Sequence, residues 1–164
     1  MLILFRPFRV ADVVTVAGVT GKVEAISMFT TTMSTPDNQL IIIPNSSVTG
    51  NIITNITAND TRRVDLVIGL GYEDDISKAK DILKRLIDED DRILKDPAPT
   101  IAVSELADSR VYFVVRPWVK TGDYWSVYFD FTEKIKNTFD VEGISIPYPQ
   151  KDVHLYTETQ VTSA

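Results

Sequence analysis

The hydrophobic period of this chain changes once, at residues 58–61. Before that point apolar residues come in short, β-branched runs separated by Gly, Pro, Asn and Asp. After it they recur at steps of three and four over two long segments. A chain with one such switch is neither all-β nor a helical bundle. It places a small β unit before an α/β unit, and 164 residues suffice for two small domains.

Residues 10–57 read as five short strands. Val13-Val14-Thr15-Val16 is the first, closed by Gly18 and Gly21 as a turn pair. Val23, Ala25 and Met28-Phe29 continue a second, and Thr30 to Thr32 with Thr35 make a third. Pro36-Asp37-Asn38 is a hairpin signal. Leu40 to Ile43 reads as a strand buried on both faces, stopped by Pro44-Asn45, and a last strand centres on Ile52, Ile53 and Ile56. Five short strands imply a small closed barrel, because closure removes exposed edges.

Residues 58–61, Ala-Asn-Asp-Thr, read as a linker to an α/β domain over residues 62–149. Arg63 to Leu70 alternates as a half-buried strand. A helix follows from about Asp75, with Asp74 as its expected N-cap and Ile76, Ala79, Ile82, Leu83, Leu86 and Ile87 on one stripe. Asp88-Glu89-Asp90-Asp91 ends it, since acids are disfavoured at the negative end of the helix dipole. Strands are expected at Thr100–Val103 and Val111–Val115, with Pro117 forcing an edge or bulge. Tyr124, Tyr128, Phe131, Ile135 and Phe139 mark a second helix ended by Gly143, and Ile144 to Ile146 a closing strand. The order is the split βαβ, or ferredoxin-like, arrangement. Residues 150–164 hold a short C-terminal strand around Val153 and Leu155, then a polar tail.

Composition removes several functions. There is no Cys, hence no disulfide framework, Cys-bound metal or thiol catalysis. The single His154 has no nucleophile placed with it by any motif, and Gly69-x-Gly71 is followed by acids that would repel phosphate. No enzyme activity and no cofactor are expected. A net charge of −6 argues against nucleic-acid binding. No apolar run approaches the roughly 18 residues of a membrane helix. Leu2 to Phe5 is followed at once by Arg6 and Arg9, the wrong order for a signal peptide; the apolar start reads either as a first strand tucked into the core or as the last turn of a hydrophobic element, with Arg6 and Arg9 just beyond a membrane boundary.

The matching segments then run in order: Phe5-Arg6-Pro7-Phe8-Arg9, Gly18-Val-x-Gly21, Phe29-Thr-Thr-Thr-Met33, Ile42-Ile43-Pro44-Asn45, Gly50-Asn51-Ile52-Ile53, Asp91-Arg92-Ile93-Leu94-Lys95-Asp96, and Gly143-Ile144-Ser145-Ile146-Pro147-Tyr148-Pro149-Gln150. Together they resemble the small-conductance mechanosensitive channel (MscS) family, from Phe5 to about Tyr156.

The resemblance implies an Sm-like β domain, an α/β domain and a short C-terminal strand, with residues 1–9 as the stub of a pore helix and its juxtamembrane segment. It implies a homoheptameric channel of a bacterial or archaeal inner membrane, opened by tension, whose cytoplasmic cage admits ions and small solutes through side portals. Asp60, Arg62, Arg63 and Asp65 are the portal-lining candidates. Arg6 and Arg9 are the juxtamembrane basic pair, and Val153 and Leu155 belong to the C-terminal barrel strand. The membrane helices of the family are absent from this sequence, and Ser46-Ser47 stands where a Gly-Lys pair is common. The competing class is a soluble ligand-binding or RNA-binding module of β-barrel plus ferredoxin-like domain.

Overall fold

The computed structural model describes residues 6–156. The chain divides into two units, residues 1–62 and 63–164, each with its own hydrophobic core.

In the first unit, β1 (Val13–Val16), β2 (Val19–Ile26), β3 (Thr30–Ser34), β4 (Leu40–Pro44) and β5 (Ile53–Asn55) form one antiparallel sheet in the order β4-β3-β2-β1-β5. Its ladder therefore ends on β4 and β5, and a short helix, α1 (Asn45–Thr49), lies between them in the chain. Val48 of α1 is fully buried in the same cluster as Ile43, with Ile53 packed against it. Side-chain packing, rather than a further ladder, joins the two ends. The sequence reading missed α1, taking Pro44-Asn45 as a stop. The Asn45 amide holds the carbonyls of Ser27 and Met28, and its carbonyl accepts from the hydroxyl of the buried Thr31 at 2.8 Å.

Three local expectations in this unit are corrected. Gly18 does make the β1–β2 turn, with Ala17 and Gly18 both at positive φ (50° and 79°). Gly21 is not a turn residue. It sits inside β2 opposite Val14, where a Cβ would lie 2.7 Å from the Ser34 carbonyl oxygen. Met28 and Phe29 belong to an exposed bend, not to a strand. β4 is buried on one face only: Ile43 is inside while Leu40 and Ile42 face out, as an edge strand allows.

In the second unit, β7 (Leu66–Leu70), β10 (Val111–Arg116) and β9 (Thr100–Leu106) form an antiparallel sheet in the order β7-β10-β9. The inward residues Leu66, Leu70, Val111, Phe113 and Val115 meet one stripe from each of two helices. Ala79, Ile82, Leu83, Leu86 and Ile87 come from α2 (Ile76–Asp88), and Val127, Phe131, Ile135 and Phe139 from α3 (Tyr124–Glu142). Tyr124 and Tyr128 pack only at the margin of this core. The N-cap of α2 is Asp75, not Asp74: its carboxylate accepts from the Ser77 and Lys78 amides. Asp74 instead accepts from Gly71 N, Ser145 N and Ser145 Oγ at 2.7–3.0 Å, tying the end of β7 to the chain leaving α3.

A second small sheet, in the order β6-β11-β8, uses β6 (Thr61–Arg63), β8 (Ile93–Leu94) and β11 (Trp118–Lys120). The single strand expected from Arg63 to Leu70 is thus two strands in two sheets. Pro117 explains the break. It is buried between β10 and β11, and its carbonyl accepts from Val64 N at 2.9 Å. Both chains change sheet at this level, so Pro117 marks a switch between sheets rather than an edge.

The closing strand at Ile144–Ile146 does not form, and residues 144–156 carry no strand. Gly71 N donates to Ser145 O at 3.3 Å. An antiparallel continuation from there would pair residue 147 with Gly69 and residue 149 with Val67. Both positions are proline, and proline has no N–H to donate. Among the described residues β7 therefore keeps an open edge. The overall class stands: a small β unit followed by a ferredoxin-like α/β unit with three strands of its main sheet in place.

Candidate functional site

The four portal candidates fall on both sides of the boundary between the units. Asp60 is exposed at the end of a series of bends over residues 56–60, and Arg62 is half-buried in β6. Arg63 and Asp65 lie on either side of the buried Val64. This spacing of two places both side chains on one side of the extended chain. Arg63 donates from Nε and Nη2 to the two Asp65 oxygens at 2.6 and 3.0 Å. These hydrogen bonds and the Asp65 charge hold the Arg63 guanidinium above the ordinary arginine range.

A third member was not singled out from sequence. Arg116 Nε is 3.7 Å from Asp65 Oδ1, and that buried atom has no hydrogen-bond partner. Asp65 thus sits between two guanidiniums. The inward set Val111, Phe113 and Val115 is legible as alternation and turns Arg116 outward. Its approach to Asp65 requires the register that pairs Val115 with Leu66, and only pairing supplies that.

The remaining candidates lie elsewhere. Arg6 and Arg9 are exposed, and Arg9 N donates to the Asp12 carboxylate at 2.9 Å. Between them Phe8 is 2% exposed and belongs to the core of the β unit. Val153 and Leu155 are exposed in a segment without strand structure. The expected tail from Thr157 lies outside the described residues. Among those described, no helix is long and apolar enough to cross a membrane.

The second unit also carries an ionic cluster at the end of α2. Asp90 accepts from Arg92 N, Nε and Nη2 at 2.8–3.1 Å, and Arg92 Nη1 reaches Asp130 of α3 at 2.8 Å. The Arg92 hydrogen bonds lower the Asp90 pKa against a smaller opposing effect of burial. Through Arg92, Asp90 of the acidic run is linked to Asp130 of α3.

The chain places a small β unit before an α/β unit, with a short charged segment between them in sequence. Comparison with known proteins narrows this. The β-domain family of mechanosensitive ion channels matches residues 1–58, and the family described as mechanosensitive ion channel MscS, C-terminal, matches residues 64–146. An uncharacterized MscS family protein of Synechocystis is 49% identical over 155 residues, 94% of this chain and 52% of the relative. The small-conductance mechanosensitive channel of Edwardsiella ictaluri is 44% identical over 156 residues, 95% and 54% of the two chains. The closed-state crystal structure of Helicobacter pylori MscS superimposes with a TM-score of 0.89 at 32% identity, covering 96% of this chain and 62% of that one. The chain belongs to the MscS family of mechanosensitive channels, as a region of its C-terminal part. It spans about half the length of the curated relatives it matches.

Proposed function

We propose that this chain is the cytoplasmic vestibule of a mechanosensitive channel in a prokaryotic inner membrane. The observation that carries the reading is the ordered match of both family segments, residues 1–58 and 64–146, to the two units. In this reading the rest of the channel supplies the membrane helices. The vestibule scaffolds a homo-oligomer, taken as a heptamer from the family resemblance. Ions and small solutes pass its side portals before reaching a pore that opens under tension in hypo-osmotic shock.

Asp60, Arg62, Arg63 and Asp65, with Arg116, form the charged lining of those portals. The exposure of Arg63, Asp65 and Arg116 at 40–51% supports this role, since a structural ion pair needs no such access to solvent. Arg6 and Arg9 face the headgroup region, and Val153 and Leu155 acquire strand partners only from neighbouring copies. The domain limits follow the sequence reading: residues 1–9 as pore-helix stub, 10–57, 58–61, 62–149 and 150–164.

Patch-clamp recording of the full-length parent channel tests the reading. Suction should open a conductance in membranes that hold it, and substitutions at residues 60–65 should alter its ion preference. A parent protein that reaches the membrane yet gives no tension-gated conductance would overturn it.

A further inference from the structure

Arg110 is the odd arginine of the second unit. The other four, Arg63, Arg85, Arg92 and Arg116, each pair with a carboxylate. Among the described residues Arg110 has no such partner, although this unit is rich in acids. Its guanidinium lies 5.9 Å from the centroid of the Tyr112 ring. Its stem runs against Gly69, where a Cβ would come within 2.7 Å of Arg110 Cδ. The residue as a whole is half-buried.

Arg110 lines an open cavity of about 620 Å³ along the unpaired edge of β7. The cavity lies along the edge that Pro147 and Pro149, lacking N–H groups, are unable to pair with as a regular strand. Ile68, Tyr128, Ile135 and Ile146 make its lining mainly apolar. The other two charged residues that line it are already engaged: Lys136 with Asp140, and Asp65 with Arg63. The size is that of a small-molecule site, with a mainly apolar lining and, in Arg110, one cation that has no carboxylate partner among the described residues.

We propose that this cavity binds an amphipathic organic anion, a carboxylate with an aliphatic chain. The carboxylate sits on Arg110, and the chain lies along Ile68, Tyr128, Ile135 and Ile146. Charge complementarity selects this occupant, because an apolar neutral molecule would leave the guanidinium uncompensated and an ammonium would be repelled. The site lies wholly within the second unit and does not depend on the channel reading.

Titration of the full chain with octanoate, butanoate and octylammonium, followed by amide chemical shifts and calorimetry, tests it. Octanoate should bind saturably and shift Gly69, Tyr112, Tyr128 and Ile146. Each methylene between butanoate and octanoate should tighten binding about fourfold. Arg110→Gln should weaken octanoate about tenfold or more. Gly69→Ala should do likewise by displacing the Arg110 stem, with circular dichroism confirming that both variants fold. Equal binding of octanoate and octylammonium, or octanoate binding unchanged in both variants, would overturn the proposal. So would an absence of saturable octanoate binding together with protection of the residue 65–69 amides that rises with protein concentration. That outcome would mean that a strand of a second copy occupies the edge.

Discussion

Replacing Arg63 with Glu probes the proposed portal lining where its charge is best defined. Arg63 and Arg116 both flank Asp65, so the group carries a net +1. With Glu at position 63 it carries −1. For a monovalent ion passing about 8 Å away in water, a two-charge change amounts to about 1 kcal/mol. Screening over a Debye length of about 8 Å at physiological salt reduces this to about 0.4 kcal/mol. The local concentration of a cation then rises about twofold and that of an anion falls about twofold, an approximately fourfold change in their ratio. At about 0.01 M salt, where the Debye length is about 30 Å, the same substitution retains about 0.8 kcal/mol and changes the ratio about fifteenfold. Reversal potentials of the full-length parent channel in a salt gradient read this ratio. Arg63→Gln should produce about half the free-energy shift, since it removes one charge. Identical reversal potentials for the parent and Arg63→Glu at both salt concentrations, with normal tension response, would refute the portal role.

Other expectations concern the stability of each unit by itself. Gly21→Ala should destabilise the β unit by about 1–3 kcal/mol in urea unfolding, because the added Cβ meets the Ser34 carbonyl on the neighbouring strand rather than a movable side chain. Phe8→Ala should cost about 3–5 kcal/mol, since Phe8 is buried in the β-unit core; a neutral effect would mean residue 8 is not part of that unit. The Asp90–Arg92 pair predicts an acid-sensitive second unit. Asp90 has a lowered pKa when folded, so its contribution is complete above the unfolded value of about 3.9 and is lost as pH falls through the folded value. Asp90→Asn should lower stability at neutral pH and flatten that part of the acid dependence in denaturation measured from pH 5 downward.

Much of this architecture is a property of local sequence. The switch in period at residues 58–61 separates the two units because strands and helices expose apolar residues at different spacings. The stripes of α2 and α3 are legible for the same reason: Ile82, Leu83, Phe131 and Ile135 can share a core only on a helix. The family likewise stands in short ordered segments such as Ile42-Ile43-Pro44-Asn45 and Ile146-Pro147-Tyr148-Pro149.

What local pattern could not supply was which strand meets which. Leu40 to Ile43 has the apolar run of a doubly buried strand, yet β4 ends a sheet and leaves Leu40 and Ile42 outside. Gly21 resembles a turn glycine until β3 arrives beside it with the Ser34 carbonyl. Arg116 reaches Asp65, and Asp74 reaches Ser145, across gaps of 51 and 71 residues. The same holds for Arg110, which among the described residues has no carboxylate partner while the other arginines of its unit each have one. Propensity and period act over a few residues, whereas register, sheet edges and charge partners depend on distant segments meeting. Those features belong to the tertiary structure alone.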